Sequence, residues 1–228
     1  MAIDRRNVLA GGLALGTFGL TRSVAAQTHF YKSVAGDDGT PVPNYLVPAD
    51  LSVDGLPGVV WAGSEHPDVI LVEFFDYNCP FCRRAASDLE AMLKEDGNLR
   101  LALVNNPVLS PQSLEAAQVQ QSVLKLYGPR AALALHLALF GARRPNNRDT
   151  ALAAAKRIGL DETKIAEASQ GADVGRVLDR QRKLAEALGF SATPSFLLKT
   201  VGILGYPGRF AMRRMVASVR SCDQIVCG

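Results

Sequence analysis

Hydrophobic residues follow two different periods along the chain, and the change between them predicts the first elements. Residues 68–76, DVILVEFFD, form a continuous apolar run rich in β-branched and aromatic side chains, which is typical of a strand buried on both faces. Between 80 and 95, apolar side chains recur with helical spacing and predict a helix that begins at Pro80. Residues 99–105, LRLALVN, predict a second strand. Strand, helix and strand at this spacing imply a parallel pair joined by a right-handed crossover.

The chain then becomes helical in pattern over about 111–188. Glycines are expected to end several of these helices, and Asp149 and Asp161 are expected to cap the start of two of them. The segment AALALHLALF is apolar on nearly every side, which predicts a place at the centre of the bundle and indicates that His136 is a core residue rather than a catalytic one. The predicted helices are 113–127, 129–141, 149–158, 161–169 and 173–188.

Two short apolar segments, PSFLLK and VGILGY, predict a strand pair, and residues 209–221 predict a final helix. The complete order is βαβ, a helical block and ββα. It predicts an α/β fold: a thioredoxin-like core, in which a single helix would ordinarily join the two halves, with an inserted helical subdomain at about 111–188. The Pro- and Gly-rich residues 27–67 predict an extended N-terminal arm with short strand pieces, which leaves 68–228 as the thioredoxin-like domain.

The first 26 residues have the layout of an export signal. A short charged start precedes a Gly-rich apolar stretch, and small residues precede an expected cleavage near Ala26. The apolar stretch is too short for a membrane span. Arg5 and Arg6 resemble the pair of a twin-arginine signal, and a general secretory signal with two chance arginines is the alternative. Both routes cross the membrane, so the sequence predicts a periplasmic protein.

Removal of this leader changes the net charge of the chain. The full sequence has 25 Lys and Arg against 22 Asp and Glu; the leader accounts for three Arg and one Asp, which leaves 22 against 21. A net charge of +1 gives no reason to expect nucleic acid or an anionic membrane surface as a partner. The four cysteines of the chain would then reside in a compartment where disulfides persist.

Cys79 and Cys82 flank Pro80 and Phe81 where the first helix is predicted to begin. Thiol chemistry requires a thiolate, because the protonated thiol is a poor nucleophile and a poor leaving group. The helix dipole and unpaired backbone N–H groups would stabilise such a charge on Cys79, whereas Cys82 lies one turn deeper and is shielded. The strand-then-helix context therefore predicts a redox-active pair.

Two other readings of these cysteines are disfavoured. A zinc site shared with Cys222 and Cys227 would need ligands from distant parts of the chain. A purely structural disulfide between Cys79 and Cys82 would close such a small loop that it would constrain the unfolded chain little.

The segment VEFFDYNCPFCRRA resembles the active-site segment of the DsbA-like thiol:disulfide oxidoreductases, exported members of the thioredoxin superfamily. NNPVLSPQSLEAA resembles the segment that follows their second core strand, and LGFSATPSFLL resembles their cis-proline loop and the strand after it. The resemblance covers about 69–206. Its specific parts are the CxxC motif in its strand–helix context and the Thr-Pro loop.

The resemblance implies a role for each matching residue. Cys79 would be the exposed sulfur that is attacked, and Cys82 its buried partner. Pro194 would be a cis-proline facing the disulfide, with the backbone of Thr193 free to pair with a substrate strand. Glu73 would relay a proton to or from Cys82; the alternative is a solvent-facing or paired strand glutamate.

Two departures from the family pattern affect the expected function. The spacer is Pro80-Phe81, where the strongest oxidants of the family carry Pro-His, so one source of thiolate stabilisation is missing and a milder oxidant, an isomerase or a reductant is implied. The terminal segment CDQIVC lies outside the family pattern. A structural disulfide between Cys222 and Cys227 is expected to anchor the tail, with a second redox pair as the alternative.

These observations predict thiol–disulfide exchange on exported proteins, most simply disulfide formation or isomerisation, without a cofactor or metal. Pro80, Phe81, Thr193 and Pro194 would hold an unfolded or reduced client, and a membrane redox partner would reset the cysteine pair. A monomer is expected. The alternative function is a periplasmic chaperone or copper-handling protein, since soft thiolates suit Cu(I).

Overall fold

The computed structural model describes residues 30–228, so the predicted export signal lies outside the described part of the chain. These residues contain one mixed sheet with the strand order β1-β6-β5-β3-β4-β2. Its central strands β3 and β4 are parallel, and the other neighbouring strands are antiparallel. The strands are β1 (Asn44–Leu46), β2 (Val60–Gly63), β3 (Val69–Phe75), β4 (Leu99–Asn105), β5 (Ser195–Leu198) and β6 (Val201–Leu204).

The helices follow the predicted order. The segments predicted as 113–127 and 129–141 form one kinked element, because Gly128 (φ 81°, ψ −179°) takes a conformation that favours glycine and Pro129 cannot donate a backbone hydrogen bond. The helices are α1 (Pro80–Glu95), α2 (Pro111–Gly141), α3 (Arg148–Arg157), α4 (Glu162–Ala168), α5 (Ala172–Ala187) and α6 (Arg209–Cys222). A thioredoxin-like core with a helical insertion is the fold class that the sequence predicts, and it is confirmed.

Successive side chains of β3 point to opposite faces of the sheet, and this alternation decides which of them face each layer of helices. Leu71 and Phe75 point into the larger apolar cluster, which contains α1, α2 and α6, whereas Val72 and Phe74 join the cluster covered by α5 and by part of residues 45–61. Glu73 shares the face of Leu71 and Phe75 because side chains two positions apart lie on one side of a strand. A carboxyl group is thereby directed into the main core.

Two details of the helical insertion differ from the sequence predictions. Asp161 caps α4 as predicted, but the predicted cap Asp149 lies inside α3, which is capped by Asn147 in a reciprocal pair with Thr150. The apolar segment of α2 is not buried all round: Leu135 and its neighbours on one face are buried, whereas the opposite face is partly exposed. Within residues 30–228, α2 alone has the length and apolar composition of a membrane span, a composition that core helices also have.

The segment that precedes β3 is built into the sheet. It supplies both edge strands, since β1 pairs with β6 and β2 pairs with β4. Asp37 accepts hydrogen bonds from the backbone N–H groups of Phe210 and Ala211 and so caps the start of α6. A Cβ at Gly208 would approach the Asp37 carboxylate to 2.3 Å, so this contact requires glycine.

Cys222 and Cys227 form a disulfide at the end of α6. The enclosed turn places Ile225 in the main apolar cluster, at 1% exposure. Nearby, Arg220 of α6 pairs with Asp68, just before β3, whereas the CxxC motif follows the opposite end of that strand.

Replacing both Cys222 and Cys227 by alanine is expected to lower the free energy of unfolding by about 2 kcal/mol, because the unfolded chain regains the freedom that the small loop removes. Urea denaturation of the two proteins measures this difference. The alkylation rate of Cys79 should not change, and a changed rate would show that the disulfide affects the distant cysteine pair.

Candidate active site

The loop after β3 is fixed before the helix begins. Asp76 accepts hydrogen bonds from the backbone N–H of Asn78 (2.7 Å) and from that of Leu109 (2.9 Å), and its own carbonyl accepts one from Cys79 N–H (3.0 Å). Leu109 lies beyond β4. Asp76 therefore joins the two loops that leave the parallel strands at the same edge of the sheet.

Asn78 and Asn146 tie the same loop to the helical insertion. Asn146 N–H donates to Asn78 Oδ1 (2.8 Å), and Asn78 Nδ2 donates to the Asn146 carbonyl (2.9 Å) and to Ser113 Oγ (3.1 Å). The Asn146 side chain also donates to the carbonyl of Tyr77 (2.8 Å). Sequence reasoning did not single out these residues, because isolated asparagines in loops give no periodic signal.

Cys79 is the N-cap of α1, with extended backbone and Pro80 at the first helical position. Its Sγ accepts a hydrogen bond from the backbone N–H of Cys82 at 3.4 Å and lies 3.1 Å from the carbonyl oxygen of Thr193. Hydrogen-bond donors from the first turn of the helix therefore converge on this sulfur.

These donors lower the pKa of Cys79 from 9.0 to about 6. The largest cause is a hydrogen bond from the Cys82 side chain; the backbone of Cys82, the side chain of Thr193 and the backbone of Phe81 add to it, and burial opposes it. Thr193 Oγ1 is buried and has no other partner in the described structure, so it can donate to a thiolate.

Cys82 has the opposite character. It is fully buried, and burial raises the pKa of its thiol far above the ordinary value; the hydrogen bond to Cys79 and the charges of Glu73 and Cys79 act in the same direction. One thiol of the pair thus ionises near neutral pH, and the other keeps its proton and donates it in a hydrogen bond.

The predicted exposure of Cys79 is wrong. The residue is only 4% exposed, because the Thr193 loop lies directly against its sulfur. The solvent-exposed residues of the motif are the two between the cysteines: Pro80 is exposed, and Phe81 is 49% exposed. A molecule that reacts with Cys79 must therefore approach it from beside the exposed spacer.

The Thr193–Pro194 peptide bond is cis. Pro194 immediately precedes β5, and pairing of Ser195 with Phe74 places this loop at the end of β3 that carries the cysteines. The carbonyl of Pro194 accepts a hydrogen bond from Gly205 N–H at 3.0 Å, which holds the loop against the start of the next connection.

An open groove of about 910 Å³ adjoins this loop. Phe81 and Pro194 line it near the cysteines, and its other lining residues include Phe210, residues 37–38 and residues 40–43. The guanidinium of Arg84 stacks over the Phe81 ring at 4.6 Å. An apolar groove with a few charged groups at its margin suits an extended, unfolded chain.

Glu73 is fully buried, so the alternative of a solvent-facing strand residue is wrong. Neither carboxyl oxygen has a hydrogen-bond partner among the described residues. Burial, and after it the negative charge of Cys79, raise the pKa of this carboxyl from 4.5 to about 8. Near neutral pH, Glu73 is thus an acid that a small change in its surroundings can ionise.

The two cysteine pairs do not come together as the ligands of a zinc site, the alternative that the sequence disfavours. Cys222 and Cys227 are joined in a disulfide, whereas Cys79 and Cys82 are free thiols. Across residues 30–228, no group of three or more His, Cys, Asp and Glu side chains is arranged to hold a metal ion.

A free dithiol at a helix start, facing a cis-proline loop on this fold, defines the class of thiol:disulfide oxidoreductases. The sequence profile of the Thioredoxin family matches residues 56–205. A thioredoxin-like oxidoreductase from Silicibacter pomeroyi is 30% identical, with a TM-score of 0.69, over 75% of this chain and 99% of that protein. The chain therefore belongs to the thioredoxin family, and the predicted membership of the thioredoxin superfamily is confirmed.

Two further solved structures share the fold. The thiol-disulfide exchange protein α-DsbA2 from Wolbachia pipientis is 24% identical (TM-score 0.65) over 70% of this chain and 86% of that protein. A periplasmic thioredoxin-like protein from Salmonella enterica serovar Typhimurium is 22% identical (TM-score 0.65) over 78% of this chain and 99% of that protein. No curated protein sequence matches this chain.

Replacing Cys82 by alanine is expected to raise the pKa of Cys79 by about one unit or more, because the thiolate loses its principal hydrogen-bond donor. The pH dependence of iodoacetamide alkylation reports this value directly, since Cys79 is then the one free cysteine. Serine at position 82 keeps a donor and should give a smaller rise. Identical profiles for all three proteins would show that the Cys82 side chain does not stabilise the thiolate.

Replacing Glu73 by glutamine is expected to make stability less sensitive to pH. The carboxyl has an ordinary pKa of 4.5 when unfolded and about 8 when folded, so between these values the folded state binds more protons and wild-type stability falls as pH rises. The variant lacks this loss, which amounts to roughly 3 to 5 kcal/mol between pH 4 and pH 8.

Urea denaturation of both reduced proteins at pH 4 and pH 8 measures the effect. Glu65→Gln is the matched control: this glutamate is exposed in the loop before β3 and should change stability by less than about 0.5 kcal/mol at either pH. Equal pH dependence for wild type and Glu73→Gln would mean that Glu73 ionises normally.

Proposed function

We propose that this protein catalyses thiol–disulfide exchange in exported proteins through Cys79 and Cys82, in the direction of disulfide formation or isomerisation. The observation that carries the proposal is the inequality of the two thiols, one with a pKa of about 6 and one that retains its proton. The Wolbachia pipientis relative is a thiol-disulfide exchange protein, which supports the same chemistry here.

In the oxidised protein, a client thiolate attacks the Cys79 sulfur. The Cys79–Cys82 bond breaks with its electron pair on Cys82, which takes up a proton, and a client–Cys79 mixed disulfide remains. A second client thiolate then attacks the client sulfur of that bond, which releases Cys79 as a thiolate and leaves the client oxidised. Cys79 is a good leaving group because its thiolate predominates at pH 7.

The same thiolate favours the oxidising direction. Stabilising the reduced form raises the reduction potential of the pair, since oxidation must give up that stabilisation. The Phe81 side chain supplies no charge comparable to a spacer histidine, so we expect a milder oxidant than the strongest members of the family. A membrane redox partner would reoxidise the pair after each exchange.

Clients would bind as extended segments along the groove. Phe81, Pro194 and Phe210 offer apolar contacts there, and the backbone of Thr193 lies beside the reacting sulfur. Exposed apolar side chains are features of unfolded and reduced proteins, which are the proposed clients.

A periplasmic location agrees with two features of the chain. The first 26 residues have the layout of an export signal, of the twin-arginine or general secretory type. The Cys222–Cys227 disulfide is exposed at its Cys227 end and would persist best in an oxidising compartment. The solved Salmonella relative is itself periplasmic.

A glutathione redox titration tests the direction of transfer. We expect a reduction potential well above that of thioredoxin, about −270 mV, together with reactivation of reduced ribonuclease. Cys82→Ser should accumulate mixed disulfides when its Cys79 thiolate attacks a disulfide-bonded client and expels one client sulfur as a thiolate, because no Cys82 sulfur is present to break the new bond. Cys79→Ser, the matched control, should form none. A potential as low as that of thioredoxin would contradict the oxidising direction, and Cu(I) retention without exchange would favour the metal-handling alternative.

A further inference from the structure

A small cavity lies beside Glu73, between β3, α1 and α2. Its volume is about 20 Å³, which is enough for one water molecule. Its polar wall includes Glu73 and His136, and Leu133, Leu137 and Glu90 also line it. The last three are partly exposed, so the cavity leads towards solvent through the cleft between α1 and α2.

His136 is a buried core residue that also lines this cavity. The residue is 1% exposed and packs edge-on against Phe75 and Phe140, at ring-centre distances of 4.7 and 4.8 Å. Burial lowers the pKa of the ring to about 3, so it is neutral at neutral pH. A neutral imidazole has one donor and one acceptor nitrogen.

Tyr77 is the hydrogen-bond partner of one of the two ring nitrogens of His136. Its hydroxyl lies 3.4 Å from His136 Nδ1, and burial raises the pKa of that hydroxyl well above 10, so it stays protonated and can donate. When Nδ1 accepts from Tyr77, Nε2 holds the ring proton and is the donor left for another partner. The Glu73 oxygens are the acceptors without a partner on the same cavity wall.

We propose that one buried water bridges Glu73 and His136 Nε2–H and carries protons between Glu73 and solvent through the α1–α2 cleft. His136 is then a positioning residue for the cysteine chemistry, acting through the water and Glu73. This inference rests on the proposed exchange function and adds to it a route by which the buried Cys82 gains and loses its proton.

This proton route serves one step, in which a mixed disulfide between Cys79 and a client is replaced by the Cys79–Cys82 disulfide. The Cys82 thiol gives its proton to the Glu73 carboxylate, and its sulfur attacks Cys79; the bond from Cys79 to the client breaks, and the client leaves as a thiolate. Cys82 is oxidised and the client sulfur reduced. Glu73 returns its proton through the water to solvent.

Several titratable groups lie around Glu73. The cysteines act from the start of α1, Glu90 lies at the same cavity further along that helix, and Tyr77, His136 and Tyr206 approach from three other segments. The titratable groups facing Glu73 are Cys79, Cys82, Tyr77, Glu90, His136 and Tyr206. Among these, His136 is the group whose replacement by Phe keeps the ring packing and removes the water contact.

The first test measures Glu73 itself in the oxidised protein, by ¹³C nuclear magnetic resonance of its carboxyl carbon. His136→Phe should raise the pKa of Glu73 by about one unit, the effect of losing one hydrogen bond to a carboxylate. His136→Gln should restore most of the wild-type value. Phe140→Leu disturbs the same aromatic packing without lining the cavity, and should leave the pKa unchanged. An equal rise in Phe140→Leu, or none in His136→Phe, would overturn the proposal.

The second test follows closure of the disulfide from a glutathione mixed disulfide on Cys79. Its rate should rise with pH in step with ionisation of Glu73, and in His136→Phe the profile should move up by about one unit, giving roughly tenfold slower closure below its midpoint. An unshifted profile would contradict the role of His136. If wild type does not close the disulfide at all, the proposed function fails, while the carboxyl titration still decides the water bridge.

A third measurement uses the wild-type protein, so it tests the water bridge even if His136→Phe does not fold. Magnetisation transfer from water to the His136 ring protons should show a long-lived water at this site in the wild type. Its absence would overturn the proposal.

Discussion

The candidate active site depends on two cysteine sulfurs, one helical turn apart, whose thiols differ in pKa. Only Cys79 receives hydrogen bonds from the start of α1. The same helix gives Cys82 no such donors and buries it completely. Burial alone would raise the pKa of both thiols, so the donors around Cys79 must outweigh its own desolvation. Without those hydrogen-bond donors, Cys79 and Cys82 would be two ordinary buried thiols. The chemistry therefore follows from where the helix begins.

The rest of the fold holds that helix start in place. β3 delivers the loop to the edge of the sheet, Asp76 binds it to the loop after β4, and the Asn78–Asn146 pair binds it to the insertion. The insertion is thus part of the site rather than an addition to the fold. A cis-proline loop from the second half of the chain closes the other side and leaves the groove as the approach for the proposed clients.

Features with local signals were predictable from the sequence. The apolar run of β3 and the helix at Pro80 are each specified by side-chain spacing over a short stretch, and the Thr193–Pro194 loop was recognised by its resemblance to a family. The burial of Cys79 was not predictable, because it comes from a contact with Thr193, 114 residues away. The place of His136 beside Glu73 was missed for the same reason: an apolar helix indicates a core residue, but not which buried acid it faces.

The most direct test of the central claim is a titration of the reduced Cys222→Ala, Cys227→Ala variant, in which Cys79 and Cys82 are the two thiols, followed by the ultraviolet absorbance of thiolate. The account predicts one transition near pH 6 with the amplitude of a single thiolate, and no second transition up to strongly alkaline pH. A transition at the pKa of free cysteine, about 8.5, or an amplitude of two thiolates in one step, would contradict it.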